Sequence, residues 1–138
     1  MIVVEGKIKG KARPRFSTRT GRAFTPNDTI NYENWIKHCY KEQDGRYLEG
    51  AIRAKIIAYY KIPKSYSKKR IQGILEGLEQ PIKKPDADNI GKIILDSLNN
   101  IAFDDDSHIV HMEVIKRWTE GTERIEFELE EVYGDKNN

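Results

Sequence analysis

Two groups of carboxylates stand out as residues able to do chemistry. The segment Lys83-Lys84-Pro85-Asp86-Ala87-Asp88-Asn89-Ile90-Gly91-Lys92 carries Asp86 and Asp88 two positions apart. In extended backbone that spacing turns both carboxylates to one side. Asp88 is also placed to open a helix, where its oxygen can accept a backbone N–H. Lys92 follows Asp88 by four residues and Asp96 follows Lys92 by four, so on a helix the three form one stripe. Downstream, Phe103-Asp104-Asp105-Asp106-Ser107-His108 sets three carboxylates side by side. Such neighbours repel unless a cation neutralises them. Mg²⁺ takes hard oxygen ligands, often only a few of them carboxylates, and completes its octahedron with water and substrate phosphate. An EF-hand is excluded, because Gly91 and the residues after it do not supply that loop's series of ligands. Asp-rich turns and helix caps produce similar spacings, so the pattern alone leaves a metal site and a structural role both open.

The elements that must position these residues are legible from periodicity. Ile2 to Ile8 reads as a first strand, and Lys9 to Pro26, rich in Gly, Ser, Thr and Pro, as a long loop or a pair of ragged edge strands. Asn27 or Asp28 caps a helix reaching about Glu42, with Ile30, Trp35, Ile36 and Cys39 as its apolar positions. From Ala51 to Ile62 the residues Ile52, Ala54, Ile56, Ala58 and Tyr60 share one face, which is strand periodicity. Ser65 or Ser67 caps a short helix over 68–76. A helix of about a dozen residues, capped by Asp88, carries the stripe Ile90, Ile93, Ile94, Leu98 and continues to Ile101. Ile109 to Trp118 and Arg124 to Val132 alternate and are separated by Glu120-Gly121, which predicts a C-terminal antiparallel hairpin. The expected class is α+β: one domain over 1–138, a single mixed β-sheet, helices packed on one face.

The chain has 138 residues and a formal charge of only +2, but its charges are segregated. Met1 to Phe24 holds Lys7, Lys9, Lys11, Arg13, Arg15, Arg19 and Arg22 against Glu5 alone. Lys61 to Arg70 holds bases and no acid, and Glu120 to Asp135 is acidic apart from Arg124. Two basic segments sharing a face would favour a polyanion. The lone Cys39 rules out an internal disulfide and reads as a small core residue in a reducing, cytoplasmic setting. No signal-peptide pattern opens the chain, and no apolar run approaches a membrane span.

The run Lys84-Pro85-Asp86-Ala87-Asp88-Asn89-Ile90-Gly91-Lys92, then Asp96-Ser97-Leu98-Asn99, then Asp105-Asp106-Ser107-His108-Ile109, resembles the RusA family of Holliday junction resolvases. Gly10-Lys11-Ala12-Arg13-Pro14-Arg15-Phe16 is similar to the basic N-terminal segment of its phage and prophage members. The resemblance implies a crossover-junction endodeoxyribonuclease that nicks phosphodiester bonds in pairs. It implies that Asp86, Asp88 and Asp106 hold Mg²⁺, with Mn²⁺ as a substitute, that Asp105 supports them and that Lys92 assists catalysis. It further implies a homodimer acting on a four-way DNA junction. Departures are His108 where the family has Gln, Ser97 where Ala is common, and the extra Asp104; the register favours 105–106 as the functional pair. Beside that acidic centre, Lys11, Arg13, Arg15, Arg19, Arg22, Lys83 and Lys84 are the expected phosphate contacts. His108 is expected to hydrogen-bond Asp106. Phe16, Trp35, Tyr59, Tyr60 and Trp118 read as packing residues. The competing classes are a noncatalytic module for structured nucleic acid and a metal nuclease of other specificity.

Overall fold

The computed structural model describes residues 1–11, 15–16, 23–24 and 27–133. In chain order these form β1 (Ile2–Glu5), β2 (Arg15–Phe16), β3 (Ala23–Phe24), α1 (Asn27–Gln43), β4 (Ile52–Lys61), α2 (Lys68–Leu75), α3 (Ala87–Ser97), a 3-10 turn (Asp106–His108), β5 (Ile109–Thr119) and β6 (Arg124–Glu131). One four-stranded sheet has the order β1-β6-β4-β5, and β2 and β3 pair as a separate two-stranded ribbon. The sheet is mixed: β4 pairs β5 in parallel, while β6 runs antiparallel to both β4 and β1. The α+β class is as expected.

The two C-terminal strands run in opposite directions, but they do not pair as a hairpin. β4 lies between them. Residues 120–123 pass over the end of β4, a distance of two strand spacings or about 10 Å, which four residues can span. That crossing is fastened by Glu123, whose carboxylate accepts from the Lys61 amide at 3.1 Å and the Ile8 amide at 3.0 Å. The Glu120-Gly121 turn signal reports only a reversal of direction, and alternation does not say which strand is the neighbour.

One face of the sheet carries Ile52, Ala54, Ile56, Ala58 and Tyr60 of β4 with Ile125, Phe127 and Leu129 of β6, all buried. Against it pack Tyr32, Ile36, Cys39 and Tyr40 of α1 and Ile90, Ile93, Ile94 and Leu98 of the α3 segment. The Tyr40 ring stacks on Phe127 at 6.3 Å. Ile30 and Trp35 lie outside this core, 42% and 43% exposed. The buried face of α1 is the Thr29, Tyr32, Ile36, Cys39, Tyr40 stripe, which includes the expected Ile36 and Cys39 but replaces Ile30 and Trp35 with the two tyrosines and Thr29. Trp35 instead donates its indole N–H to the Glu5 carbonyl, and the Gln43 amide exchanges two 2.7 Å bonds with the Val3 backbone. These two side chains stand where a further strand would pair with β1, blunting that edge.

The opposite sheet face is polar and charge-paired. Arg53 and Lys55 of β4 stand in register with Glu130 and Glu128 of β6, and Arg53 forms an ion pair with Glu130. Here much of the acidic C-terminal run finds its partners. No helix is long and apolar enough to cross a membrane among the described residues.

Candidate active site

The helix that carries the motif begins two residues earlier than its sequence suggests. Asp86, not Asp88, holds the N-cap position, and its side chain makes no capping hydrogen bond. Asp88 therefore sits in the first turn, where a negative charge is favoured by the helix dipole. Both carboxylates are exposed. Two close approaches seat this helix. A Cβ on Gly91 would lie 2.8 Å from Met112 Sδ and 3.2 Å from Val114 Cγ2, so a larger residue here would have to push the Met112 side chain aside. A Cβ on Gly10 would lie 2.7 Å from Pro85 Cβ, which brings the N-terminal segment against the start of α3. Tyr60 donates its hydroxyl to the Pro85 carbonyl at 3.2 Å and steadies the same loop. Burial, with the charges of Glu123 and Asp86, pushes the Tyr60 phenol up to about 12, so it remains a donor at neutral pH.

Asp88, Lys92 and Asp106 line one cleft of about 340 Å³, floored by Gly91, Leu95, Ile109 and Met112. The two acidic groups flanking α3 thus meet because β5 returns alongside it. Asp86 does not line this cleft. It faces the neighbouring one, with Lys9, Lys11, Lys84 and Asn89. Among the described residues no three His, Cys, Asp or Glu side chains stand together in a metal-holding cluster. The expected convergence of Asp86, Asp88 and Asp106 is therefore met for two of the three.

The three consecutive aspartates have distinct fates. Asp104 contacts the Tyr47 hydroxyl. Asp105 accepts from the Ser107 amide at 2.9 Å and caps the 3-10 turn; the Ser107 side chain and amide hold its carboxyl below the usual range. Only Asp106 lines the cleft with Asp88 and Lys92. Burial raises its carboxyl above the ordinary value, and so do a hydrogen bond with the Asp96 carboxyl and the charges of Asp105 and Asp96. The Asp96 carboxyl, the last member of the helix stripe, thus stands against Asp106. The i, i+4, i+8 spacing of Asp88, Lys92 and Asp96 was its signal in the sequence. His108 makes no side-chain hydrogen bond to Asp106 among the described residues.

Lys11, expected as a phosphate contact, is already engaged: its ammonium lies 3.3 Å from Glu33 Oε2 and 3.7 Å from Asp96 Oδ2. Glu33, on α1, carried no motif that could single it out. Lys83 and Lys84 are exposed, and Lys83 and Lys116 lie 5.5 and 5.4 Å from the Tyr60 ring centre. Arg13, Arg19 and Arg22 lie outside the described residues, as do the side chains of Arg15 and Phe16.

A family model described as endodeoxyribonuclease RusA matches residues 5–130, which takes in every strand and helix that builds this cleft except the first residues of β1 and the last of β6. The chain belongs to the RusA family. A similar protein is the uncharacterized protein YqaN of Bacillus subtilis (strain 168), 30% identical over 136 residues, 95% of each chain. RusA membership makes the protein an endodeoxyribonuclease and sets aside the noncatalytic binding module.

Proposed function

We propose that this RusA protein resolves four-way DNA junctions by paired phosphodiester hydrolysis, with Mg²⁺ held between Asp88 and Asp106 and with Asp86 and Asp96 at its flanks. The carrying observation is that Asp88, Lys92 and Asp106, from opposite ends of α3, line a single cleft. Their donor chemistry fits a hard divalent cation. Every nearby acid is a carboxylate, and the contact between the Asp96 and Asp106 carboxyls is one that added positive charge would relieve. Mg²⁺ needs few protein ligands when phosphate and water complete its shell. When bound, such a cation supplies Lewis acidity for phosphodiester hydrolysis. The chain's own residues do the rest. Asp88 and Asp106 bind and orient the cation. Lys92, exposed and without an ion pair among the described residues, sets positive charge where charge develops on the phosphate. Exposed Lys83 and Lys84, in the loop that leads into α3, engage the backbone of the strand being cut. One cleft per chain and two strands to cut call for a homodimer.

The test is cleavage with Mg²⁺ of a four-way junction, a linear duplex and a single strand, by the wild type and Asp88→Asn. Paired symmetric nicks in the junction alone are expected. The variant should lose about 10²- to 10³-fold in rate, the scale of removing a principal electrostatic group, while binding the junction as tightly as before. Equal cutting of all substrates would overturn the junction specificity, and wild-type rates in the variant would overturn the site.

A further inference from the structure

We propose that Lys11 is the resident counter-cation of the Asp96–Asp106 carboxyl pair, that it competes there with a divalent metal ion, and that Glu33 sets how strongly it does so. This rests on the metal site proposed above.

The ammonium is held in place by its backbone. The Lys11 amide donates to the Asn89 carbonyl at 3.3 Å, and Gly10 packs directly on Pro85 and Asn89, so residue 11 is pinned to the first turn of α3. From there its side chain reaches between two helices. Lys11 Nζ hydrogen-bonds Glu33 Oε2 of α1 at 3.3 Å and stands 3.7 Å from Asp96 Oδ2 of α3. The three side chains are only 25%, 16% and 25% exposed, so salt screens them less than an open surface pair. One ammonium thus serves two carboxylates, and the nearer, Glu33, takes the hydrogen bond. Asp96, the farther, is the one in contact with Asp106. A cation entering the cleft meets a carboxyl pair already partly neutralised.

Opposite signs follow for the two partners of one ion pair. Without the Lys11 charge, the pair should attract a metal ion more strongly. Without the Glu33 charge, the ammonium is free to settle on Asp96, and the metal ion should bind more weakly. A purely structural clamp between α1 and α3 makes the two losses act in the same direction.

The experiment is Mn²⁺ binding to the full chain without DNA, at fixed pH and ionic strength, read from the electron paramagnetic resonance of free Mn²⁺. Lys11→Met should tighten binding about fivefold, the scale of one unit charge near 4 Å in hydrated surroundings. Glu33→Gln should weaken it about two- to fivefold, and Lys11→Arg should stay within about twofold of wild type. Lys41→Met, an equal change in net charge farther along α1 on an exposed residue, should change nothing. The proposal is overturned if Lys11→Met leaves binding unchanged or weaker, if Glu33→Gln shifts it in the same direction, or if Lys41→Met matches Lys11→Met. Asp88→Asn and Asp106→Asn separate the two failures. If these bind Mn²⁺ like wild type, the cleft is not the metal site and both readings fall. If they lose binding while Lys11→Met does not tighten it, only the counter-cation reading falls.

Discussion

Burial pushes the Asp106 carboxyl above its ordinary value, and the Asp96 carboxyl that it touches adds to the rise. A carboxyl raised in the fold holds its proton more tightly than in the unfolded chain. Its contribution to stability is therefore complete below the unfolded carboxylate value, about 3.9, and is lost as pH rises through the folded one. At neutral pH, without metal, the pair is a site of stored repulsion. Asp106→Asn keeps the shape and removes one charge. In EDTA it should melt a few degrees above wild type at pH 7, roughly the shift of 1 kcal/mol in a domain of this size. The gap should close below about pH 4. Glu131, whose carboxyl is lowered by Tyr133 and the Glu49 amide away from the site, acts in the opposite direction but equally in both proteins. Thermal unfolding followed by circular dichroism at the two pH values checks this; a gap independent of pH would refute it.

At the scale of elements, the site depends on how closely three segments approach. α3 lies on β5 at residue 91, which has no side chain, and the N-terminal segment lies on α3 because residue 10 has none. The two glycines are not equal. At Gly91 the nearest obstacle is the flexible end of Met112, which can swing away. At Gly10 it is the Pro85 ring carbon at 2.7 Å, which cannot. Gly10→Ala should therefore lower stability by about 1–3 kcal/mol, as overpacking does, and loosen the hold of Lys11 on Asp96. Denaturant unfolding measures the first effect, and Mn²⁺ binding drifting toward that of Lys11→Met measures the second. α2 is a separate case. Ser67 caps it, accepting from the Arg70 amide at 3.2 Å, and Arg70 in turn pairs with Glu79 at 2.7 Å, so this helix stands on local bonds.

For the whole molecule, the segregated charges resolve into two surfaces. On the outer sheet face Arg53 of β4 pairs with Glu130 of β6, and Lys55 stands in register with Glu128. Lys83 and Lys84 stay exposed beside Asp86. Junction binding should fall steeply with salt, with a log–log slope near −0.9 per phosphate contacted. Replacing Lys83 and Lys84 together with Ala should flatten that slope by up to about 2. Replacing Arg53 and Lys55 should leave it as it was, with little effect on stability because both sit on an exposed face. Filter binding or fluorescence anisotropy across a salt series distinguishes the two surfaces, and equal slopes for the two double variants would show that they do not differ.

The sequence by itself determined the α+β class, the helix and strand cores, a serine cap on α2, the acidic motif around α3 and the family to which it belongs. These are local matters, set by periodicity, capping chemistry and the order of residue types along one stretch of chain. It could not determine that β4 lies between β5 and β6, because alternation marks a strand but not its neighbour. The motif's register singled out Asp105 and Asp106, but only the fold shows that Asp104 meets Tyr47, that Asp105 caps its own turn and that Asp106 alone of the three lines the cleft. The contacts of Asp96, Glu33 and Lys11 were decided only by the tertiary structure. Side chains from three segments meet within 4 Å there, and one ammonium cannot be assigned between two carboxylates until α1, α3 and the N-terminal segment are packed together.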